Sequence, residues 1–359
     1  MLRLPQNPVV AIVGATGAVG REMLAILEQR AFPIGALRLF ASPRSAGSRL
    51  PFRGADVVVE SLDTGAAIEG VHLALFSAGK GVSREWAPKF RDAGSLVVDN
   101  SSAFRSDPAC PLVVPEVNPD ALDAVRGPAI VANPNCSTII ALVAVTPIHR
   151  AIGVERMVVA TYQSASGAGA AAMAELESQA HAFSAQRPLD TTIFGRQYLF
   201  NVFSHNSAIG PDGANEEERK LLTETRRLWA CDSVRVAATC VRVPTLRAHA
   251  EAIHLELSRA TTEQEVRALL ASAPGVAIRD DRAANRFPEP LEAAGADDVL
   301  VGRIRMDASV EGGRGIALFV CGDQIRKGAA LNAIQIAERF MDQDAPTRRV
   351  LATTLGSTR

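Results

Sequence analysis

The 359-residue sequence contains no cysteine pair spaced C-x-x-C and no histidine pair spaced H-x-x-x-H. Its five cysteines, at 110, 136, 231, 240 and 321, are odd in number and scattered. That argues against a disulfide framework, a zinc site or a dithiol, and fits reduced thiols in the cytoplasm. The six histidines, at 72, 149, 181, 205, 249 and 254, offer no metal-ligand spacing, so no metal is expected. Charge of one sign is missing too: 38 Lys and Arg meet 39 Asp and Glu, a net charge of -1. No long-range field then draws the chain to nucleic acid or to an anionic membrane. No apolar run reaches the roughly 20 residues that span a bilayer. The opening "MLRLPQNPVVAIVG" enters a strand pattern without a signal peptide's apolar core and small-residue cleavage site. Internal repeats are absent as well. Small molecules and other protein chains remain as expected partners.

What is present is an ordinary globular composition, 47% hydrophobic and 21% charged. The length exceeds what one core organises, so about two domains are expected. "VVAIV" (9–13), "LRLFA" (37–41), "ADVVVES" (55–61), "VHLALFSA" (71–78), "SLVVDNS" (95–101) and "AIVAN" (129–133) read as strands. Helix-compatible stretches such as Ala18 to Arg30 and Ser83 to Ala93 separate them. This alternation predicts βαβ units and a parallel sheet. Beyond Cys136 the strands lengthen and alternate: "RMVVATYQS" (156–164), "HAEAIHLELS" (249–258), "VGRIRMDAS" (301–309) and "GIALFVCGDQI" (315–325). Such a pattern suits a largely antiparallel sheet with one solvated or interface face. The expected fold is α/β, with a Rossmann-like dinucleotide-binding domain over 1–134 and an α+β domain over 135–326. The stretch "KGAALNAIQIAERFM" (327–341) has helical spacing.

"VVAIVGATGAVGREMLAILEQ" combines a buried strand, a glycine turn and an amphipathic helix. Glycines 14, 17 and 20 permit a tight turn, in which Gly14, Ala15, Thr16, Gly17, Ala18 and Val19 can approach a diphosphate at the positive end of the helix. The spacing is G-x-x-G-x-x-G, so its place between strand and helix carries the reading; a merely structural turn is the alternative. An NAD site would show an acidic residue near the end of the second strand. Here "ASPRSAGS" (41–48) has none, but offers Ser42, Arg44 and Ser45. An arginine flanked by hydroxyls suits a 2′-phosphate, so NADP is expected over NAD. A solvated surface arginine is the plainer alternative.

"NPNCST" (133–138) sets one cysteine after a Pro-Asn turn and before the apolar run "IIALVAV". Free cysteines are most often buried fillers. At a helix start, however, a thiol loses its proton more readily, and near a nicotinamide it suits aldehyde oxidation, or the reverse, through a thioester.

From "GATGAVG" almost to its end the chain resembles the aspartate-β-semialdehyde dehydrogenase family. The likeness runs through "SSAFR" (101–105), "VPEVN" (114–118), "NPNCST", "TYQSASGAG" (161–169), "EERK" (217–220), "RVPTLRAHAE" (242–251) and "GDQIRKGAALNAIQIAE" (322–338). This resemblance implies reversible NADPH-dependent reduction of L-4-aspartyl phosphate to L-aspartate 4-semialdehyde with release of phosphate, on the route to lysine, methionine, threonine and isoleucine. It makes Cys136 the nucleophile, His249 the general acid/base and Gln163 the residue that orients the reacting group, with Asn135 beside the nucleophile. It gives the phosphate to Arg105 and Lys220, the substrate α-carboxylate to Arg242 and the α-ammonium to Glu217. Gly167 and Asn332 would meet the cofactor, Asn332 at the nicotinamide end. The second domain would be catalytic and dimerising, in a homodimer or dimer of dimers, and the segment 327–359 would join the first domain.

The chemistry needs these types: an acyl phosphate calls for cations, and a zwitterion for an acid and a base. By itself "NEEERKLLTETRRLW" reads as a solvated helical face. Two places depart from the family pattern: Ala250, where serine is usual, and "FSHNSAIGPDGANEE" (203–217). The remaining rivals are N-acetyl-glutamyl-phosphate reductase and a catalytically silent binding protein. Glu217 argues against the first, and Cys136, Gln163 and His249 against the second.

Overall fold

The structure, a computed structural model, describes residues 1–62 and 68–341. Strands β1 (Val9–Val13), β2 (Ala36–Ala41), β3 (Arg49–Phe52), β4 (Ala55–Ser61), β5 (Leu73–Phe76), β6 (Leu96–Asp99) and β7 (Ala129–Ala132) form one sheet, in the order β3-β4-β2-β1-β5-β6-β7. Every neighbouring pair is parallel except β3 with β4. β5 and β6 are buried along their whole length, as strands covered on both faces must be. Helix α1 (Ala18–Gln29) covers one face through Met23, Leu24, Ile26 and Leu27; α2 (Lys80–Asp92) covers the other through Ala87 and Phe90. Strand order reverses at β1, between β2 and β5, which opens a crevice at the strands' carboxyl ends. β3 escapes the sequence reading because it is a short edge strand interrupted by Pro51.

The second domain follows with α3 (Cys136–Ile152), β8 (Val154–Gln163), α4 (Ala170–Ser184), β9 (Phe203–Ser204), α5 (Glu216–Trp229), β10 (Arg235–Arg242) and β11 (His249–Leu257). It continues through α6 (Glu263–Ala271), β12 (Val276–Ile278), α7 (Pro290–Ala293), β13 (Val299–Met306) and β14 (Gly315–Gly322). Its sheet runs β12-β13-β14-β11-β8-β10-β9 and is mostly antiparallel, with β8–β10 and β12–β13 the parallel pairs. Side chains of α3, α5 and α6 fill one core on its inner face, including Ile140, Leu221 and Val266. The outer face shows Tyr162, 38% exposed, and Phe319 beside it.

A π-helical turn over Arg326–Ala330 leads into α8 (Leu331–Glu338), whose Leu331, Ile334 and Ile336 share a core with α1. The part of the expected C-terminal segment over 342–359 lies outside the described residues. Glu22 of α1 accepts from Arg247 at 2.9 Å and from Arg326 at 2.9 Å, and Arg247 also reaches Asp323 at 2.6 Å. These charges tie the domains across the seam on which α3 begins.

Candidate active site

The chain leaves β7 at Ala132 and turns through Asn133, Pro134 and Asn135 into α3, so Cys136 is the first helical residue. Asn135 caps this helix: its Oδ1 accepts the N–H groups of Ser137 (3.1 Å) and Thr138 (3.2 Å). Its Nδ2 donates to Glu217 Oε1 at 2.7 Å, and its backbone N–H donates to Glu224 Oε2 at 2.6 Å. Two carboxylates of α5 therefore hold the turn that presents the thiol.

Helix α5 starts on a capping box between Asn215 and Glu218 and buries Leu221 and Leu228. Positions 217, 220 and 224 share its inner face at helical spacing. Here the solvated reading fails, because Glu217 and Glu224 are each only 4% exposed. Lys220 Nζ lies 3.0 Å from Glu217 Oε2. Burial alone would raise the Glu217 carboxyl, yet Lys220 and the Asn135 amide bring it down to about 2. Glu224, buried and raised in spite of nearby Arg105, accepts from Arg105 Nη1 at 3.4 Å. Arg105 also donates to the carbonyls of Asn133 (2.9 Å) and Asn100 (2.7 Å).

Three strand ends complete the wall. Arg242 pairs with Gln163 across β10 and β8, and Ala250 with Tyr162 across β11 and β8, which sets Arg242, Gln163 and His249 in one inward-facing row. Gln163 Nε2 donates to Ser137 Oγ (2.7 Å) and to Glu217 Oε1 (3.3 Å). His249 Nδ1 accepts the Ser164 backbone N–H at 3.1 Å, so in the neutral ring the proton sits on Nε2. Nε2 is buried with no partner among the described residues. Burial, and then Arg242, push this imidazole down to about 3. At neutral pH His249 is thus an N–H donor. Gly167 makes the row possible, since a Cβ there would lie 2.8 Å from Arg242 Nη1 and 2.9 Å from His249 Cε1. Ala250 points to the other face of β11, into a cluster with Ala248, Leu300 and Cys321, where a hydroxyl would find little use.

Burial and, after it, Glu217 push the Cys136 thiol up to about 12, against the pull of Arg105, Arg242 and Lys220. This reverses the direction expected from a helix start alone, because desolvation outweighs a helix-terminus effect of about 1 kcal/mol. Acidity does not single Cys136 out, since Cys240 is also raised to about 12 and Cys110 to about 11. Position does. Cys136 is half-buried and lines a cleft of about 500 Å³ with Arg105, Gln163, Glu217, Lys220, Arg242 and His249, whereas Cys110, Cys240 and Cys321 are buried elsewhere.

The cleft extends to Val19 and Ser77 at the glycine turn. Gly14 has φ 90° and a Cβ there would meet Ser77 O at 2.4 Å, so only glycine fits. The N–H groups of Gly14 and Ala15 both donate to Phe40 O, and that of Gly17 to Gly14 O. Thr16, Ala18 and Val19 are left to offer N–H groups outward, at the start of a helix with no side-chain cap. Thr16 Oγ1 lies 3.5 Å from Ser45 Oγ, which brings Ser42, Arg44 and Ser45 beside the turn.

Asn332 is not on the cleft wall. It is fully buried, its Nδ2 donating to Asn133 Oδ1 (2.6 Å) and Val113 O (3.0 Å) and its Oδ1 accepting from Lys327 Nζ (3.0 Å). It props the turn over 133–135 from behind. Sequence reasoning missed Glu224, His205 and Asn206. Helical spacing from Glu217 could have found Glu224, but nothing local marks the other two, whose partner Arg242 lies on another strand.

Residues 9–125 match the semialdehyde dehydrogenase NAD-binding domain, and residues 145–327 the semialdehyde dehydrogenase dimerisation domain. An aspartate-semialdehyde dehydrogenase of Synechocystis sp. is 49% identical over 340 residues, 95% of this chain and 99% of its own. That of Aquifex aeolicus is 46% identical over 335 residues, 93% and 98% of the two chains. The crystal structure of aspartate semialdehyde dehydrogenase II from Vibrio cholerae, complexed with ASA, matches with a TM-score of 0.90 at 44% identity, covering 93% of this chain and 98% of that one.

Proposed function

The chain belongs to the aspartate-semialdehyde dehydrogenase family, and from that premise we propose that it reduces L-4-aspartyl phosphate to L-aspartate 4-semialdehyde, reversibly and with NADPH. The observation that carries this is one cleft in which a thiol meets a carboxylate and an arginine fit to read a zwitterion, Glu217 and Arg242, and two cations fit for phosphate, Arg105 and Lys220.

Cys136 attacks the acyl carbon; its S–C bond forms as the C–O bond to phosphate breaks, the thiol proton goes out with the departing phosphate, and Arg105 and Lys220 take up the leaving charge. When bound, the reduced nicotinamide supplies the hydride that takes the thioester to the aldehyde level. The uncapped start of α1 and the glycine turn suit its diphosphate. His249 offers Nε2–H as a hydrogen bond to the oxygen that gains charge; as the C–S bond breaks and the aldehyde leaves, that charge passes to the sulfur, which takes a proton from solvent. Gln163, bonded to both Ser137 and Glu217, holds the amino-acid and thiol sides of the cleft in register. The outer face of the second sheet, with Tyr162 and Phe319, serves as the interface of a homodimer.

Aspartate semialdehyde with phosphate and NADP is expected to give NADPH at a rate that vanishes without phosphate. N-acetyl-glutamate semialdehyde should be about 10- to 150-fold poorer, the worth of one charged hydrogen bond to Glu217. Equal efficiency on the two aldehydes would reject the zwitterion reading.

Arg44 is exposed beside the glycine turn, where a 2′-phosphate would meet it. Arg44→Ala is therefore expected to cut the NADP-to-NAD efficiency ratio about 10-fold or more, by loss of a charge-assisted contact. An unchanged ratio would remove the argument for NADP.

A further inference from the structure

The donors of Arg242 are almost fully committed to protein groups. Nη1 donates to Ser164 O at 3.0 Å and Nη2 to His205 Nε2 at 2.9 Å. Nε and Nη2 both donate to Asn206 Oδ1, at 3.2 and 3.1 Å. A guanidinium has five N–H donors, so this arrangement leaves a single N–H on Nη1. Two-point recognition of a carboxylate needs two adjacent donors. It can form on Arg242 only if one of the present acceptors lets go.

Which acceptor yields follows from how each is held. Ser164 O belongs to the backbone next to Gln163. His205 is anchored by its own N–H to Cys240 O at 2.9 Å, on the strand that carries Arg242. Burial pushes its ring down to about 4, and with the single ring proton on Nδ1, toward Ser207 Oγ at 3.0 Å, Nε2 is left to accept from Arg242. Asn206 is exposed, sits in a bend and makes the two longest bonds, while Arg242 beneath it is 2% exposed. Its amide oxygen occupies the side-on edge, formed by Nε and Nη2, that a carboxylate grips with two oxygens.

We propose that Asn206 acts through Arg242 as a positioning and selectivity residue: its side-chain oxygen stands in for the substrate α-carboxylate, which must displace it to bind. A carboxylate, as the stronger acceptor, wins this exchange; a neutral group does not. The stretch 203–217, which departs from the family pattern, thereby contributes to substrate choice. The inference rests on the reaction proposed above.

The test is steady-state kinetics on aspartate semialdehyde at saturating phosphate and NADP, for the parent and two variants. Asn206→Ala removes the competing acceptor and is expected to lower the KM for the aldehyde about 3- to 10-fold. The KM values for phosphate and NADP should not move. Asn206→Asp sets a charged rival in the same fork and is expected to raise the aldehyde KM by about 10-fold or more. These opposite signs are the signature. Asn206 is exposed, so both variants are expected to keep the parent's thermal midpoint. A KM raised or unchanged in Asn206→Ala, or a common shift of all three KM values with a lowered midpoint, would overturn the inference and leave the reaction standing. Absence of phosphate-dependent turnover in the parent would overturn both.

Discussion

Cys136→Ser is expected to lose turnover by on the order of 10⁴-fold or more, because no other group in the cleft can carry the acyl intermediate. Cys110→Ser and Cys321→Ser, changed at buried positions away from the cleft, should keep most of it. The pH dependence of alkylation tests the electrostatics behind this. With the thiol pushed up to about 12, iodoacetamide should label Cys136 slowly at neutral pH and faster as pH rises. Glu217 is the charge that raises the thiol, so Glu217→Gln should move the labelling curve to lower pH. On the proposed reading, a substrate ammonium beside Glu217 would act in the same direction. Mapping the adduct settles the assignment. Preferential labelling of another cysteine, with activity lost, would refute it.

His249→Asn is expected to lower kcat by about 10²- to 10⁴-fold, the usual worth of a positioned acid/base. The KM for phosphate should hardly change, because Arg105 and Lys220 are untouched. The sign of the pH effect follows from the lowered imidazole. Its folded-state value of about 3 lies below the ordinary histidine range, so His249 stays neutral as pH falls and protonates only near about 3. The fold-loss in His249→Asn should therefore be the same at about pH 5.5 and about pH 8. An acid limb near pH 6.5 that disappears in His249→Asn would show instead that the ring titrates in the working range.

Local sequence determined a good part of this protein. Periodicity and turn residues set β1, β2 and β4 to β7, and β8, β11, β13 and β14 of the second sheet but not β9, β10 or β12, since apolar runs and alternation are local consequences of burial. The Asn-Pro-Asn turn set the start of α3, because a cap and its helix lie within four residues. The glycine turn set the approach of β1 to α1, as the clash between a Cβ on Gly14 and Ser77 O shows. Tertiary structure alone decided the rest. Whether "EEERK" was a solvated face or a wall of the cleft depended on α5 lying over the inner sheet, which buries Glu217 and Glu224 against the Asn135 turn. The thiol's proton affinity depended on that same burial, which reversed the effect of the helix start. The surroundings of Asn332 and Asn206 were hidden from the sequence for a related reason. Their hydrogen-bond partners, Asn133 and Arg242, are 199 and 36 residues away, and only the packed chain decides which polar group faces a ligand and which faces another residue.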